Sequence, residues 1–332
     1  MSIPERLAES LLSNPRADRV RTVAGLARRS ARSKQGLFLA EGPQNVREAL
    51  VAHVRSGSPA LALDPAPDTD RTTTTPPHPS ALLPSLDALY VTETCLERHP
   101  DIAQLVTEVL DGAGNHRVFI RLVTEEVLAV IADAQTPQGA VAVCKIPTLS
   151  LSDVLSPSAA LVPALCRVQD PGNAGTIIRA ADAAGADAVV LTSGSVDLYN
   201  PKTVRSTAGS LFHLPVLPNL EFTDLVETAT AEGHQILAAD GYAALNLDEL
   251  QDAAVVGAEV DCDLAAPTVW LLGNESQGLS AQEKQAAAFR IAVPLYGQAE
   301  SLNVGTAATL CLYASARVQR RGSATSSSTG HG

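Results

Sequence analysis

Apolar positions along the chain fall into two series of short runs. In the first, RADRVRTVAGLARRSARSKQ (16–35) reads as a helix, GLFLAEG (36–42) as a strand and PQNVREALVAH (43–53) as a helix. The alternation resumes with DALYVTE as a strand, residues 93–110 as a helix, HRVFIRL as a strand, TEEVLAVIADA as a helix and QGAVAVCK as a strand. This alternation predicts a small α/β domain over residues 16–145, after an N-terminal extension of residues 1–15. Residues 54–85 interrupt it with Pro, Thr and Ser and no periodicity, so they predict a disordered surface insertion.

A Pro- and Ser-spaced linker, 146–160, precedes the second series. Its strands are expected at 161–168, 187–192, 235–239, 268–272 and 290–293, with helices near 175–185, 221–232 and 280–288. A long final helix is expected in SLNVGTAATLCLYASARVQRR. The second domain therefore spans 161–318, and GSATSSSTGHG closes the chain within a flexible tail, 319–332.

Composition sharpens this picture. The 332 residues are 45% hydrophobic but only 3% aromatic, so the core must be built from Ala, Val and Leu, which suits helices packed on parallel strands. No run of eighteen apolar residues occurs and MSIPERLAESLL lacks the regions of a secretory signal, so no membrane is expected and a cytoplasmic location is. The five cysteines, Cys95, Cys144, Cys166, Cys262 and Cys311, are too scattered for metal-ligand spacing; no metal is expected, and the thiols read as buried in a reducing compartment.

A net charge of −12 argues against a nucleic-acid partner, because phosphate binding needs cations. The distribution changes that conclusion. Arg16, Arg19, Arg21, Arg28, Arg29, Arg32 and Lys34 face one acid, Asp18, within a single short segment, a local charge of +6. Such a face is either solvated surface or an RNA contact, and its segregation within an acidic chain favours the second.

Three strand-end motifs carry the chemistry. In VQDPGNAGTIIRAADAAGADAVVL (168–191), Asn173 and Gly175 sit where a strand turns into a helix, and Arg179 follows nearly two turns later. In WLLGNESQGLS (270–280), an apolar strand ends in Gly273-Asn274-Glu275, and Ser280 is a ready N-cap. In IAVPLYGQAESLNVGTAATLCLY (291–313), Ser301 and Asn303 offer polar groups before a helix that starts with small residues. Each has a plain structural reading as a tight turn. Three together at the strand ends of one domain favour a ligand site. The dinucleotide fingerprint is absent after the first strand and the G-x-x-x-x-G-K-[ST] loop is absent throughout, which weakens the competing nucleotide-binding oxidoreductase.

In this order, NAGTIIR, LLGNESQGLS and VPLYGQAESLNVGTAATLCLY resemble the SpoU/TrmH family of RNA ribose 2′-O-methyltransferases of the SPOUT superfamily, over about 161–318. LYNPKTVRSTAGSLFHLPV is similar too, and GLFLAEGPQNVREAL with TPQGAVAV resembles the family's L30e-like substrate-binding module. The resemblance implies an α/β fold with a parallel sheet and a deep trefoil knot, S-adenosyl-L-methionine held by loops near 272–280 and 293–303, and a homodimer. It places cofactor contacts on Gly273, Val293 and Leu302, and the polar catalytic set on Asn173, Arg179, Glu275, Ser301 and Asn303. Arg179 is implied either as the base that activates the ribose hydroxyl or as a clamp on the target phosphate. Arg28, Arg29, Lys202 and Arg205 are the candidate RNA contacts, with a solvated surface as their alternative. The family implies rRNA before tRNA as substrate, since a separate module precedes the methyltransferase domain. The competing reading from another class is a non-catalytic RNA-binding or ribosome-assembly protein on the same fold. Gly305, where relatives commonly carry Ser, departs from the pattern and predicts a looser start to the last helix.

Overall fold

The computed structural model describes residues 3–7, 11–57 and 79–327. The chain divides into two compact units, Met1–Thr148 with Asp197–His213, and Leu149–Val196 with Leu214–Gly332. Most of the insertion expected at 54–85 lies outside the described residues. Its first residues instead complete the helix Pro43–Ser56, and Ser85 already opens a strand.

The first unit is built on β1 (Leu37–Glu41), β2 (Ser85–Val91), β3 (Phe119–Leu122) and β4 (Ala140–Lys145), in the order β1-β4-β2-β3. β4 runs antiparallel to β1 and β2, while β2 and β3 are parallel. Helix Pro43–Ser56 buries Val46, Ala49, Leu50 and His53, a spacing that faces one side of a helix to the core. The expected helix over 93–110 divides into Glu93–Arg98 and Pro100–Leu110, because Pro100 disfavours helical backbone at His99, which sits at φ −126° and ψ 78°.

The basic segment is also broken, into Asp18–Ala24, a 3₁₀ turn at Gly25–Ala27, and Arg29–Gln35. One of its cations turns inward. Arg32 is buried, donating to the carbonyls of Leu26 (2.8 Å) and Ala27 (2.6 Å) and to Asp197 Oδ2 (2.6 Å). Residues 197–213 pack into this unit through Tyr199 and Phe212, whose rings lie 4.9 Å and 6.4 Å from Phe38. The chain thus leaves the second unit and returns to it, which a single boundary at 161 does not describe.

In the second unit, β5 (Leu161–Leu165), β6 (Val189–Thr192), β7 (Val216–Leu220), β8 (Gln235–Ala239), β9 (Leu245–Asn246), β10 (Thr268–Leu272) and β11 (Phe289–Ala292) form a sheet in the order β7-β6-β5-β10-β8-β11-β9. Every pairing in it is parallel. Its core is made of small aliphatic side chains, among them Val162, Ala164, Val190, Ala238, Val269 and Leu271, as the composition requires. Trp270 is fully buried on β10 and donates from Nε1 to Ser315 Oγ at 3.0 Å, tying the sheet to the final helix.

That helix runs Val304–Ser327, beyond the expected boundary at 318. β7 and β9 are absent from the sequence reading for a physical reason: β7 is a half-exposed edge strand containing Pro218, and β9 is two residues long. Because the strands are parallel, the loops that follow β5, β10 and β11 emerge from one edge of the sheet, the edge where open α/β sheets take ligands.

Candidate active site

The first loop leaves β5 through an unusual residue. Arg167 has φ 56°, a left-handed backbone that few residues with a Cβ adopt. It is held there from several sides. Its amide donates to Thr192 Oγ1 (3.1 Å), and its carbonyl accepts from Asn274 Nδ2 (2.8 Å). Its guanidinium makes a two-pronged bond with Glu283, Nε to Oε1 at 2.9 Å and a terminal nitrogen to Oε2 at 2.7 Å. Helix Pro171–Ala184 then starts, with Asp170 as N-cap accepting from the Asn173 amide at 2.8 Å and Pro171 in the first turn.

The second loop follows β10. A Cβ on Gly273 would lie 2.5 Å from Gly278 C and Leu279 N, so only glycine permits the chain to fold back this closely. Asn274 and Gly278 exchange backbone hydrogen bonds at 3.2 Å and 2.8 Å, and Asn274 Oδ1 accepts from the amides of Ser276 (3.0 Å) and Gln277 (3.1 Å). Ser280 and Glu283 form a reciprocal capping box on the short helix that follows. Glu283 is buried, and Arg167 joins that helix to the first loop.

Glu275 stands at the tip of the second loop. Its carboxylate accepts from the amides of Gln169 (3.2 Å) and Asp170 (3.1 Å) and from Asn173 Nδ2 (3.1 Å). Partial burial raises its pKa, but these donors outweigh the effect and hold the carboxyl below its ordinary range, hence ionised. Asn173 Oδ1 in turn accepts from Asn303 Nδ2 at 2.8 Å. Asn303 is itself fixed by accepting from the Gly305 amide at 2.9 Å. A single chain of hydrogen bonds, Glu275 to Asn173 to Asn303, therefore joins the three motifs.

The other sequence-assigned residues fall around this chain but not in it. Arg179 is exposed on helix Pro171–Ala184, and its side chain has no hydrogen bond or ion pair among the described residues. Ser301 is exposed, while Val293 and Leu302 are half-buried in the loop after β11. Between Pro294 and Ser301 no backbone amide finds a partner among the described residues. Those peptide groups follow β11 and the close-folded Gly273 turn follows β10, two strands separated in the sheet by β8; open peptide groups of this kind can hold a polar cofactor by its edges.

Gly305 does not loosen the last helix. A Cβ there would lie 2.9 Å from Thr176 Cγ2, so its absence permits the two helices to approach. Of the RNA candidates, Arg28, Arg29 and Lys202 are exposed, with Arg29 3.9 Å from Asp197 Oδ2. The Arg205 guanidinium pairs with Glu41 Oε2 (2.8 Å) and Asp133 Oδ2 (3.2 Å). Arg167, Asn274 and Glu283 were missed by sequence reasoning. The S-x-x-E spacing of Ser280 and Glu283 was a legible signal for one of them; nothing local marks Arg167.

Fold and site together define an α/β protein with an ionised, hydrogen-bonded polar cluster at the carboxyl edge of a parallel sheet and no metal-binding group among the described residues. Comparison with known proteins narrows this class. Residues 160–313 match the SpoU rRNA Methylase family. The chain is 38% identical over 192 residues to the 23S rRNA (guanosine(2553)-2′-O)-methyltransferase RlmP of Bacillus subtilis (strain 168), covering 58% of this chain and 70% of that one. It is 35% identical over 213 residues to the 23S rRNA (uridine(2479)-2′-O)-methyltransferase of Streptomyces viridochromogenes, covering 60% and 70%. The AdoMet-bound rRNA methyltransferase from Sinorhizobium meliloti superposes with a TM-score of 0.69 at 25% identity, over 92% of this chain and 97% of that one. The chain belongs to the SpoU methylase family.

Proposed function

We propose that this protein transfers a methyl group from S-adenosyl-L-methionine to a ribose 2′-OH of ribosomal RNA. The observation that carries the reading is the hydrogen-bond chain Glu275–Asn173–Asn303, which brings the three strand-end motifs into one site. The relatives named above as 23S rRNA 2′-O-methyltransferases, and the AdoMet-bound neighbour, supply the reaction class, the substrate and the cofactor.

When bound, S-adenosyl-L-methionine supplies a methyl group on a positively charged sulfur; Gly273, Val293, Leu302 and the open peptide groups between them would hold it. Transfer of that methyl to the ribose oxygen would leave S-adenosylhomocysteine, and the hydroxyl proton would pass to solvent water. The work left to the chain is positioning and electrostatics. Glu275, kept ionised, fixes the Asn173 amide, and Asn303 fixes it from the other side. Arg179, with its planar guanidinium, acts as a clamp on the target phosphate that also polarises the hydroxyl. Ser301 orders the loop and meets the target nucleotide.

The finer features of the reading are a trefoil knot in the second unit, an L30e-like substrate-binding role for the first, a cytoplasmic location and a homodimer. Leu310 and Tyr313 support the last, being exposed on the final helix, with Tyr313 OH donating to Ala183 O (3.4 Å) on the Arg179-bearing helix. The test is methyl transfer from labelled S-adenosyl-L-methionine to rRNA lacking the modification, with mapping of the methylated ribose, for wild type and Arg179→Ala. Label on rRNA that disappears in the variant is the expected result. Cofactor binding without transfer to any RNA would replace the reading with a non-catalytic RNA-binding protein.

A further inference from the structure

The most conspicuous feature of the first unit that the reaction does not use is a stack of two cations on one aromatic ring. The guanidinium carbon of Arg19 lies 3.8 Å from the centroid of the Phe119 ring, and that of Arg121 lies 3.6 Å from the same centroid. Both guanidinium groups therefore lie against the one Phe119 ring. Arg19 comes from helix Asp18–Ala24 and Arg121 from β3, the edge strand of its sheet.

Internal structure does not account for the pair. Among the described residues neither arginine meets a carboxylate: Arg19 donates from Nε to Tyr90 OH (2.8 Å) and Arg121 to its neighbour's carbonyl, Ile120 O (3.0 Å). Two like charges brought to one ring repel each other, and the ring's attraction for each is modest. Exposed Arg117 adds a third cation two residues before Phe119, and exposed Arg16 a fourth, in a chain whose net charge is −12. Elsewhere in the same basic segment Arg32 is buried on Asp197, Arg21 pairs with Asp18 and Arg29 approaches Asp197, while Arg28 and Lys34 stay exposed. Of the unmatched cations, Arg19 and Arg121 are the two that share an aromatic ring.

We propose that the Arg19–Phe119–Arg121 stack is a docking surface for an unpaired strand of the substrate RNA. The inference rests on the reading of this protein as an RNA methyltransferase and assigns the strand a place on it. Arginine suits this task where lysine does not. The planar guanidinium, pre-set flat against Phe119, keeps its N–H edge for phosphate oxygens and its outer face for a nucleobase. Anchoring both groups on one ring removes the rotamer freedom that binding would otherwise have to freeze. An unpaired strand presents phosphates and base faces together, which a duplex does not.

The test measures binding of the full chain to a fluorescein-labelled oligouridylate and to a blunt RNA duplex of the same length across a salt series, for wild type, Arg19→Ala/Arg121→Ala and Arg19→Lys/Arg121→Lys. Methyl transfer and S-adenosylhomocysteine binding are read in parallel. The alanine pair is expected to weaken oligouridylate binding about tenfold or more and to flatten the salt slope by about 1–1.5, with S-adenosylhomocysteine binding unchanged. The lysine pair keeps the slope and still loses several-fold in affinity, because it restores charge without a stacking plane. Wild-type affinity and slope in the alanine pair would overturn the proposal, as would an equal loss on the duplex. A wild type that transfers no methyl group, yet loses oligouridylate in the alanine pair, would sink the proposed reaction and leave the docking surface standing.

Discussion

Asn303 donates from Nδ2 to Asn173 Oδ1 across 2.8 Å, joining residues 130 positions apart, and the same Asn173 donates from its Nδ2 to Glu275. One amide is thereby used on both of its ends. Replacing Asn173 by Ala removes both bonds and leaves Glu275 held only by the backbone amides of Gln169 and Asp170. Single-turnover methyl transfer is expected to fall about ten- to a hundredfold, the range for losing a hydrogen bond to a charged group at a reacting centre. Asn303→Ala should cost less, and the double variant no more than Asn173→Ala alone, since both act through one amide. Additive losses would mean that Asn303 acts by another route.

The Arg167–Glu283 pair predicts a stability effect. Glu283 is buried, and burial alone would raise its pKa; the Arg167 guanidinium and the Ser280 donors prevail and hold it ionised. Arg167→Met leaves that charge without its partner. Because Arg167 itself is partly exposed, the loss should lie below the usual cost of breaking a buried pair, at about 2 kcal/mol in urea unfolding. Arg167→Met/Glu283→Gln should recover part of it, and a double variant no more stable than the single would contradict this account.

Gly273→Ala is expected to destroy cofactor binding. The added carbon meets the Gly278–Leu279 peptide group at 2.5 Å, so the loop carrying Glu275 must shift. S-adenosylhomocysteine should then give no thermal stabilisation, whereas wild type gains about 2.7 kcal/mol at a hundredfold excess over its dissociation constant. Retained stabilisation would show that the loop adapts.

The first unit should lose stability in mild acid. Burial, with the His116 ring 4.7 Å away adding repulsion, lowers His53 to about 4, from about 6.5 when the chain is unfolded. Between those values the unfolded state binds the extra proton. Stability from a neutral His53 is therefore complete above pH 6.5 and is lost as pH falls towards 4, by up to about 3 kcal/mol. His53→Leu should flatten the pH dependence of unfolding in that window. An unchanged slope would assign acid sensitivity to other groups.

Much of this architecture was legible because its signals are local. The expected strands of both units coincide with observed ones within a few residues, as short apolar runs bounded by turn residues allow. Gly273 and Ser280 could be singled out in advance because a close turn and a cap each demand a residue type. Asn173, Glu275 and Asn303 could be placed at strand-end loops, but their mutual contacts could not. The partners of Arg205 were hidden for the same reason: in sequence it is a cation near Lys202, and only folding sets it against Glu41 and Asp133.

The sequence by itself determined the alternation of strands and helices, the small-residue core and the three polar loops, since each depends on residues within a few positions of one another. Tertiary structure alone decided that the sheet order is β7-β6-β5-β10-β8-β11-β9, that residues 197–213 join the first unit, that Arg167 reaches Glu283, and that Arg19 and Arg121 close on Phe119. These relationships join residues as many as 165 positions apart, and chain entropy opposes such contacts until the packing of the whole unit offsets it. A local pattern carries no record of which distant partner that packing will supply.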